Sequence, residues 1–429
     1  MIGVKGVGMA ALAEVLVKNG FIVSGSDAKD DFITAGALKR LNINITKFSA
    51  ENVKNAKAVI RSNAYNSDNA EVRAAQYLNI PIFSYPEVVA ELFNAHYGIA
   101  VAGSHGKTTT TAMLAHILKS AEKNITAIVG STVLDWGSGA IAGDLAKPDA
   151  LFVLEADEYK EAFLNYHPRG AIITNIDYDH PDYFKTPKSY VEAFENLAAQ
   201  IQPGGFLIGC GDDAEVVKIL DTAKKALAKG GQAGVKTYSY GFEKTNDFHI
   251  TEEKIKNSKQ CFTVKFAGKK YDFTVPYPGR QYVLNSVAAF AAAKHLGVAP
   301  EKIAQGIATF PGTARRLEVL KNENGVMIID DYAHHPTAIT VTLAGIKAMY
   351  PGKKIVALFQ PHMFSRTEAL LHEFASCFTP ADIVGIMEIY PSARETSGPV
   401  NGKDLADATK QKHTGKDKRS SWLRHNLKG

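Results

Sequence analysis

The sequence predicts an α/β protein of three domains in series, built on parallel sheets. Short apolar stretches run into glycine-rich or acidic turns in three separate places, and helical spacing follows. The length of 429 residues suits two to four domains of about 100–200 residues each. Hydrophobic residues at 45% and charged residues at 22% give an ordinary globular balance, so each domain can bury a core.

The first domain is expected over residues 1–90. Residues 1–4 close a strand, and 9–19 has apolar residues at helical spacing. Phe21-Ile22-Val23-Ser24 reads as a short buried strand. Residues 57–60 read as another, leading through Arg61-Ser62 into the polar loop 63–68. The second domain, 91–312, opens with an apolar strand at 97–102, then a glycine loop and a helix over 109–120. Further strands are expected at 150–154 and 171–174. The third, 313–429, has a strand at 326–330, a helix over 338–349 and a strand at 355–359. Strands separated by single helices require crossover connections, hence parallel pairing.

The net charge of +5 is unevenly spread, since residues 410–429 hold seven Lys and Arg against one Asp. The rest of the chain is near neutral. A nucleic-acid partner would need a basic stripe on a folded face, and none is expected. Cys210, Cys261 and Cys377 are far apart, odd in number and form no C-x-x-C. That argues against a disulfide framework or a cysteine zinc site and fits a reducing cytoplasm. Neither a signal peptide nor an apolar run of about 20 residues is expected, so no membrane partner follows.

Gly103-Ser104-His105-Gly106-Lys107-Thr108-Thr109 is the strongest local signal. Glycines let backbone N–H groups turn around phosphate oxygens, and the helix start adds partial positive charge. Lys107 can reach β- and γ-phosphates, and the Thr108 hydroxyl can bind Mg²⁺. The pattern is shorter than the full Walker form, with Val101 where the first glycine would stand. The other reading is a small-residue turn. A magnesium partner is expected where Leu154-Glu155-Ala156-Asp157-Glu158 and Thr174-Asn175-Ile176-Asp177-Tyr178-Asp179-His180 end apolar strands, since parallel sheets bind ligands at those ends. The alternative there is a solvated loop with helix caps.

Gly3-Val4-Lys5-Gly6-Val7-Gly8-Met9 also joins a strand to a helix, and Asp27 follows about twenty residues on, in the Rossmann manner. The order G-x-x-G-x-G differs from the usual dinucleotide fingerprint. An NAD site, another diphosphate ligand such as UDP, and a ligand-free turn all remain open. In the third domain Asp330-Asp331-Tyr332-Ala333-His334-His335-Pro336 and Gln360-Pro361-His362-Met363-Phe364-Ser365-Arg366-Thr367 follow strands, and Arg315-Arg316 follow the hinge. Arginines there can bind carboxylate or phosphate, or make salt bridges and caps.

Together these motifs, with Ser24-Gly25-Ser26-Asp27, resemble the Mur ligase family from residue 1 to about 408. Within it they look most like the branch that joins L-alanine to UDP-N-acetylmuramate. The resemblance implies a Rossmann-like UDP-binding domain, a central P-loop ATPase-like domain and a Rossmann-like C-terminal ligase domain. It implies ATP and Mg²⁺, cytoplasmic peptidoglycan precursor synthesis and an acyl-phosphate intermediate. Gly6, Val7, Gly8, Met9 and Asp27 would serve the UDP substrate. Gly103 to Thr109, with Asn285, Arg316 and Asp331, would serve ATP. Thr108, Glu155 and His180 would serve the metal, and Lys107, Glu155, His180 and Arg366 catalysis. His335 and His362 would serve the incoming amino acid.

The chain departs from the family at Gln281-Tyr282, where members carry a His-Asn pair, and at Met363, where many carry arginine. The family pattern also stops in the tail, from Lys416 onward. A relative that recycles muramyl peptides would carry a longer insertion than the dozen or so residues between Glu158 and Ala171. A dehydrogenase would leave Lys107-Thr108 without a role, whereas a dead nucleotide-binding relative would bind ATP without turnover.

Overall fold

The computed structural model describes residues 1–28, 32–228, 234–391, 395–414 and 419–422. Its N-terminal sheet is wound outward from one residue. Ile2 bridges Ser26 on one side and Arg61 on the other. Gly25–Ser26 then pairs with Ile45–Thr46, and Val59–Arg61 with Ile82–Ser84, all in parallel. Chain order reverses at this centre, as a Rossmann-like sheet requires. The expected strand at 21–24 is not there. Phe21 is 59% exposed and Ile22 fully so. The strand lies at Gly25–Ser26 instead, because a Cβ at Gly25 would collide with the Val4 side chain. Close packing of the Val4 side chain selected a glycine, and apolar identity at 21–24 was a false lead.

Helix Val7–Lys18 buries Ala11, Leu12 and Val15 against Val89 and Phe93 of helix Tyr85–Asn94. The same cluster includes Ala100, Phe152 and Leu154 of the central sheet. The first glycine loop is therefore fixed to the second domain by a shared core.

The central sheet has ten strands. In spatial order they are Lys269–Val275, Lys259–Phe266, Phe248–Lys256, Lys236–Gly241, Phe206–Cys210, Gly170–Ile173, Tyr97–Ala102, Leu151–Glu155, Ile125–Val133 and Ser138–Ile141. Pairing is parallel through the middle and antiparallel at both edges. Tyr97–Ala102 sits centrally and is apolar on both faces, as a doubly covered parallel strand should be. Ile99 and Val101 pack under helices Lys107–Ser120 and Arg280–His295. Ala100 and Ala102 pack under Pro187–Ala199. The edge strands over 248–275 were not anticipated. Their signal was available: Phe262 and Val264 alternate, and turns at Asn257-Ser258 and Ala267-Gly268 have positive φ at both residues.

In the C-terminal domain Val356–Phe359, Ile383–Ile386 and Arg419–Trp422 form a parallel sheet. Ile339 and Leu343 of helix Pro336–Met349 pack on it with Phe374, Phe378 and Leu405. The expected strand Val326–Asp330 forms, but it pairs antiparallel with Glu318–Glu323 and stays outside that sheet. Arg419–Trp422 adds a strand within the tail, beyond the point where the family pattern was expected to stop. The rest of that tail, 415–418 and 423–429, lies outside the described residues. No helix among the described residues is long and apolar enough to cross a membrane.

Candidate active site

The carboxyl ends of the central strands and the loops of the C-terminal domain open on one cavity of about 1170 Å³. Its wall begins at the glycine loop after Tyr97–Ala102. Gly103 has φ +133° and stands so close to Thr174 that no side chain would fit. Gly106, at φ +84°, caps the helix, and a Cβ there would press on Asn285 Oδ1. Asn175 holds the loop in shape: its Oδ1 accepts from the His105 N–H at 2.9 Å and its Nδ2 donates to the His105 carbonyl at 2.9 Å. The helix start has no side-chain cap, and its first turn lines the cavity. That is a ready anion site.

Lys107 Nζ donates to the Gly103 carbonyl at 2.5 Å and pairs with Glu158 at 2.8 Å. Burial alone would lower the Lys107 pKa, but Glu158 outweighs it and holds the ammonium above its ordinary value. Burial would likewise raise Glu158, yet Lys107 and His180 hold it below its usual range. The pair is therefore ionised. Thr108 Oγ1 donates to Glu155 Oε1 at 2.7 Å, and the Gly130 N–H donates to Glu155 Oε2 at 2.5 Å. Thr108 and Glu155 thus stand together, as the sequence suggested. Two oxygen donors beside a phosphate loop fit a hard cation such as Mg²⁺. His180 is turned elsewhere: its Nε2 is 3.7 Å from Glu158 Oε1, and its buried Nδ1 has no hydrogen-bond partner among the described residues.

Two carboxylates outside the expected set tie the central domain to the C-terminal one. Asp177 Oδ2 accepts from His105 Nε2 at 2.9 Å and from Thr337 Oγ1 at 3.1 Å, and lies 3.5 Å from His335 Nδ1. Asp179 accepts from buried Arg366 Nη2 at 3.1 Å. Burial opposes ionisation of Asp179, but the guanidinium wins and holds its pKa well below the usual carboxylate range. Glu158, Asp177 and Asp179 lie in the two acidic motifs expected to supply a magnesium partner, but the sequence assigned none of them a role of its own. Each was visible as an acid at a strand end; nothing local told which acid would find which partner.

Asp331 accepts backbone N–H groups of Leu317 and Ala333, each at 2.8 Å, and so pins the hinge loop. Burial raises its pKa. Arg316 lies 5.2 Å from the Tyr332 ring centroid. Tyr282, one of the departures from the family, is buried, stacks on Tyr277 at 4.9 Å and donates its hydroxyl to the Arg316 carbonyl at 3.1 Å. The substitution has been absorbed into a contact that steadies Arg316. Met363, the other departure, is buried at φ +72° and lines the cavity. His362 lines it too, stacked on Tyr390. Burial, with Arg366 nearby, lowers His334 to about 3, and burial also lowers His335.

The N-terminal loop contributes less. Gly8 reaches the cavity, beside Tyr85, whereas Gly6, Val7, Met9 and Asp27 do not line it. Met9 is a core side chain. Asp27 turns its carboxylate onto the loop itself, accepting from the Lys5 N–H at 2.7 Å and the Ala28 N–H at 2.8 Å. Gly103 is likewise behind the cavity wall. The remaining expected residues, Ser104 to Thr109, Glu155, His180, Asn285, Arg316, Asp331, His335, His362 and Arg366, all line it.

Comparison with known proteins gives a consistent picture. The profile described as the Mur ligase family catalytic domain matches residues 1–97, the Mur ligase middle domain matches 101–293 and the Mur ligase glutamate ligase domain matches 315–424. A UDP-N-acetylmuramate–L-alanine ligase of Desulfitobacterium hafniense is 39% identical over 413 residues, 96% of this chain and 88% of that protein. The solved UDP-N-acetylmuramate–alanine ligase of Thermotoga maritima superposes with a TM-score of 0.79 at 27% identity, covering 99% of this chain and 90% of that one. A murein peptide ligase of Psychrobacter arcticus, at TM-score 0.68 and 24% identity, shares the fold over 99% of this chain and 90% of its own.

Proposed function

The chain belongs to the Mur ligase family, and from that premise we propose that it joins L-alanine to UDP-N-acetylmuramate with consumption of ATP, through an acyl phosphate. The carrying observation is the single cavity on which Lys107, the Thr108–Glu155 pair and Arg366 converge from two domains. The reaction belongs in the cytoplasm, with its charged nucleotide substrates. In this reading residues 1–90 hold the UDP substrate, 91–312 hold ATP and 313–429 close over both.

A carboxylate is a poor electrophile at neutral pH, so it needs a leaving group. The muramyl carboxylate oxygen attacks the γ-phosphorus of ATP and ADP leaves. The amine of L-alanine then attacks the acyl carbon, loses a proton and expels phosphate. Lys107 exchanges Glu158 for phosphate oxygens when ATP binds, offsetting the repulsion between carboxylate and phosphate. Thr108 and Glu155 would hold Mg²⁺, which supplies further charge neutralisation when bound. Asn285, Arg316 and Asp331 frame the nucleotide, while His335, His362 and Arg366 frame the amino acid and the intermediate. Gly6, Gly8 and Asp27 shape the UDP loop. Acyl phosphates hydrolyse readily, so the Asp177 and Asp179 contacts to the C-terminal domain matter for excluding water.

The deciding experiment is phosphate release from ATP with UDP-N-acetylmuramate and, in turn, L-alanine, glycine, L-serine or an L-alanyl peptide. Release that requires both the muramyl nucleotide and L-alanine is the expected result. Preference for the peptide would make the chain a recycling ligase, and ATP binding without any release would make it a dead relative.

A further inference from the structure

We propose that His105, Asp177 and His335 form a site for a divalent transition-metal ion, separate from the Thr108–Glu155 pair, that fastens the phosphate loop to the C-terminal domain. His105 belongs to the loop, Asp177 follows the strand Gly170–Ile173, and His335 is the N-cap of helix Pro336–Met349. The three ligand atoms lie within 4.8 Å of one another.

The geometry is close to what an ion demands. Ligand atoms about 2.0–2.2 Å from a tetrahedral ion are about 3.3–3.6 Å apart. His105 Nε2 is 2.9 Å from Asp177 Oδ2, and His335 Nδ1 is 3.5 Å from the same oxygen. The histidine nitrogens must draw together, and their rings already stand 5.0 Å apart at the centroids. Hydrogen bonding alone leaves one atom unexplained. His335 is 6% exposed and its Nδ1, which faces Asp177, has no hydrogen-bond partner among the described residues. A metal ion would satisfy it.

The donor set names the ion class. Two imidazoles and one carboxylate favour Zn²⁺, Co²⁺ or Mn²⁺ over Mg²⁺, which prefers oxygen. Three protein ligands leave a coordination position open to the cavity that all three residues line. Because the ligands come from two domains, the site exists only while those domains meet as they do here. Ion binding would therefore hold the C-terminal domain against the loop. The Thr337 hydroxyl, 3.1 Å from Asp177 Oδ2, already makes a weaker link of the same kind.

The test is calorimetric titration of the chelator-treated full chain with ZnCl₂, without ATP. One ion per chain is expected. Both His335→Gln and Asp177→Asn should weaken binding at least about 100-fold, since even outer-shell partners of a metal site matter 10–100-fold. Glu155→Gln should leave Zn²⁺ binding unchanged. Absence of Zn²⁺ binding, binding indifferent to both ligand variants, or binding lost with Glu155→Gln would each overturn the proposal. Should the variants misfold, crystals of the unaltered protein soaked in CoCl₂ decide the matter. An anomalous peak among the three side chains supports the site, and a peak elsewhere or none removes it.

Discussion

The chain has two glycine loops that join a central strand to a helix, and they have opposite fates. In the N-terminal loop the protein answers its own backbone: the Asp27 carboxylate takes the Lys5 N–H, and only Gly8 reaches the cavity. In the loop at 103–109 the backbone is held from behind by Asn175, so the helix start, Lys107 and Thr108 all face the cavity. The glycines are alike in both places. What differs is whether a carboxylate is spent on the loop's backbone, as Asp27 is, or on the side chains that face the cavity, as Glu155 is on Thr108 and Glu158 on Lys107. Glycine spacing alone therefore marks a turn, and the opposing carboxylates mark chemistry.

That contrast makes Lys107→Ala the most damaging change. Removing one preorganised group that meets developing charge costs about 10²–10³ in rate, and loss of a full ammonium should reach the upper end. Steady-state phosphate release should show the fall in kcat, with folding verified by circular dichroism. Retention of more than about a tenth of wild-type kcat would break the assignment. Next in size is Arg366→Ala. It strips a partner from a carboxylate whose side chain is only 11% exposed, and breaking such a pair costs about 3–5 kcal/mol. The urea midpoint should fall clearly. The double change Arg366→Met, Asp179→Asn should recover part of the loss, because no unpaired charge then remains buried.

The legibility of the sequence follows the same divide between local and distant causes. The strand Tyr97–Ala102 and the helix beginning at Lys107 were readable because apolar run, glycines and lysine are contiguous. That the glycine loop and the 154–158 motif would meet was readable because each follows a parallel strand, and the family resemblance named Thr108 and Glu155 within them. Arg366, the C-terminal partner of Asp179, is 187 residues away, and Thr337, a C-terminal partner of Asp177, is 160 away, so no local pattern could reveal them. His180 was expected with Glu155, and its nearest charged partner in the structure is Glu158, in the same short motif. Choosing between two carboxylates three residues apart depends on the backbone path after the strand, including positive φ at Lys160 and Glu161. Composition carries no trace of that.

Asp27→Asn sharpens the comparison from the other loop. Asparagine can still accept one backbone N–H but loses the charge that strengthens both bonds, worth about 1.5 kcal/mol or more. KM for the UDP substrate should rise about 10-fold with kcat nearly unchanged, the reverse of Lys107→Ala. A kcat loss as large as that of Lys107→Ala would mean the two loops are not distinct in kind.

The smallest effect tests what supports the N-terminal loop. Helix Tyr85–Asn94 begins with a capping box in which Glu87 Oε2 accepts from the Ser84 N–H at 2.6 Å and the Ser84 hydroxyl at 2.7 Å. That start places Tyr85 where a Cβ on Gly8 would touch it. These hydrogen bonds from Ser84 hold the Glu87 pKa below its ordinary value. The folded pKa is thus lower than the unfolded one, so the stabilisation is complete above about pH 4.3 and fades as pH falls through the folded value. Because Glu87 is largely open to solvent, Glu87→Gln should cost well under about 1 kcal/mol at pH 7. Thermal melts of the two proteins should differ slightly at pH 7 and converge in acid. A difference that persists below the folded pKa would show that the carboxylate charge is not what stabilises this helix start, and that the loop at Gly8 is held by packing alone.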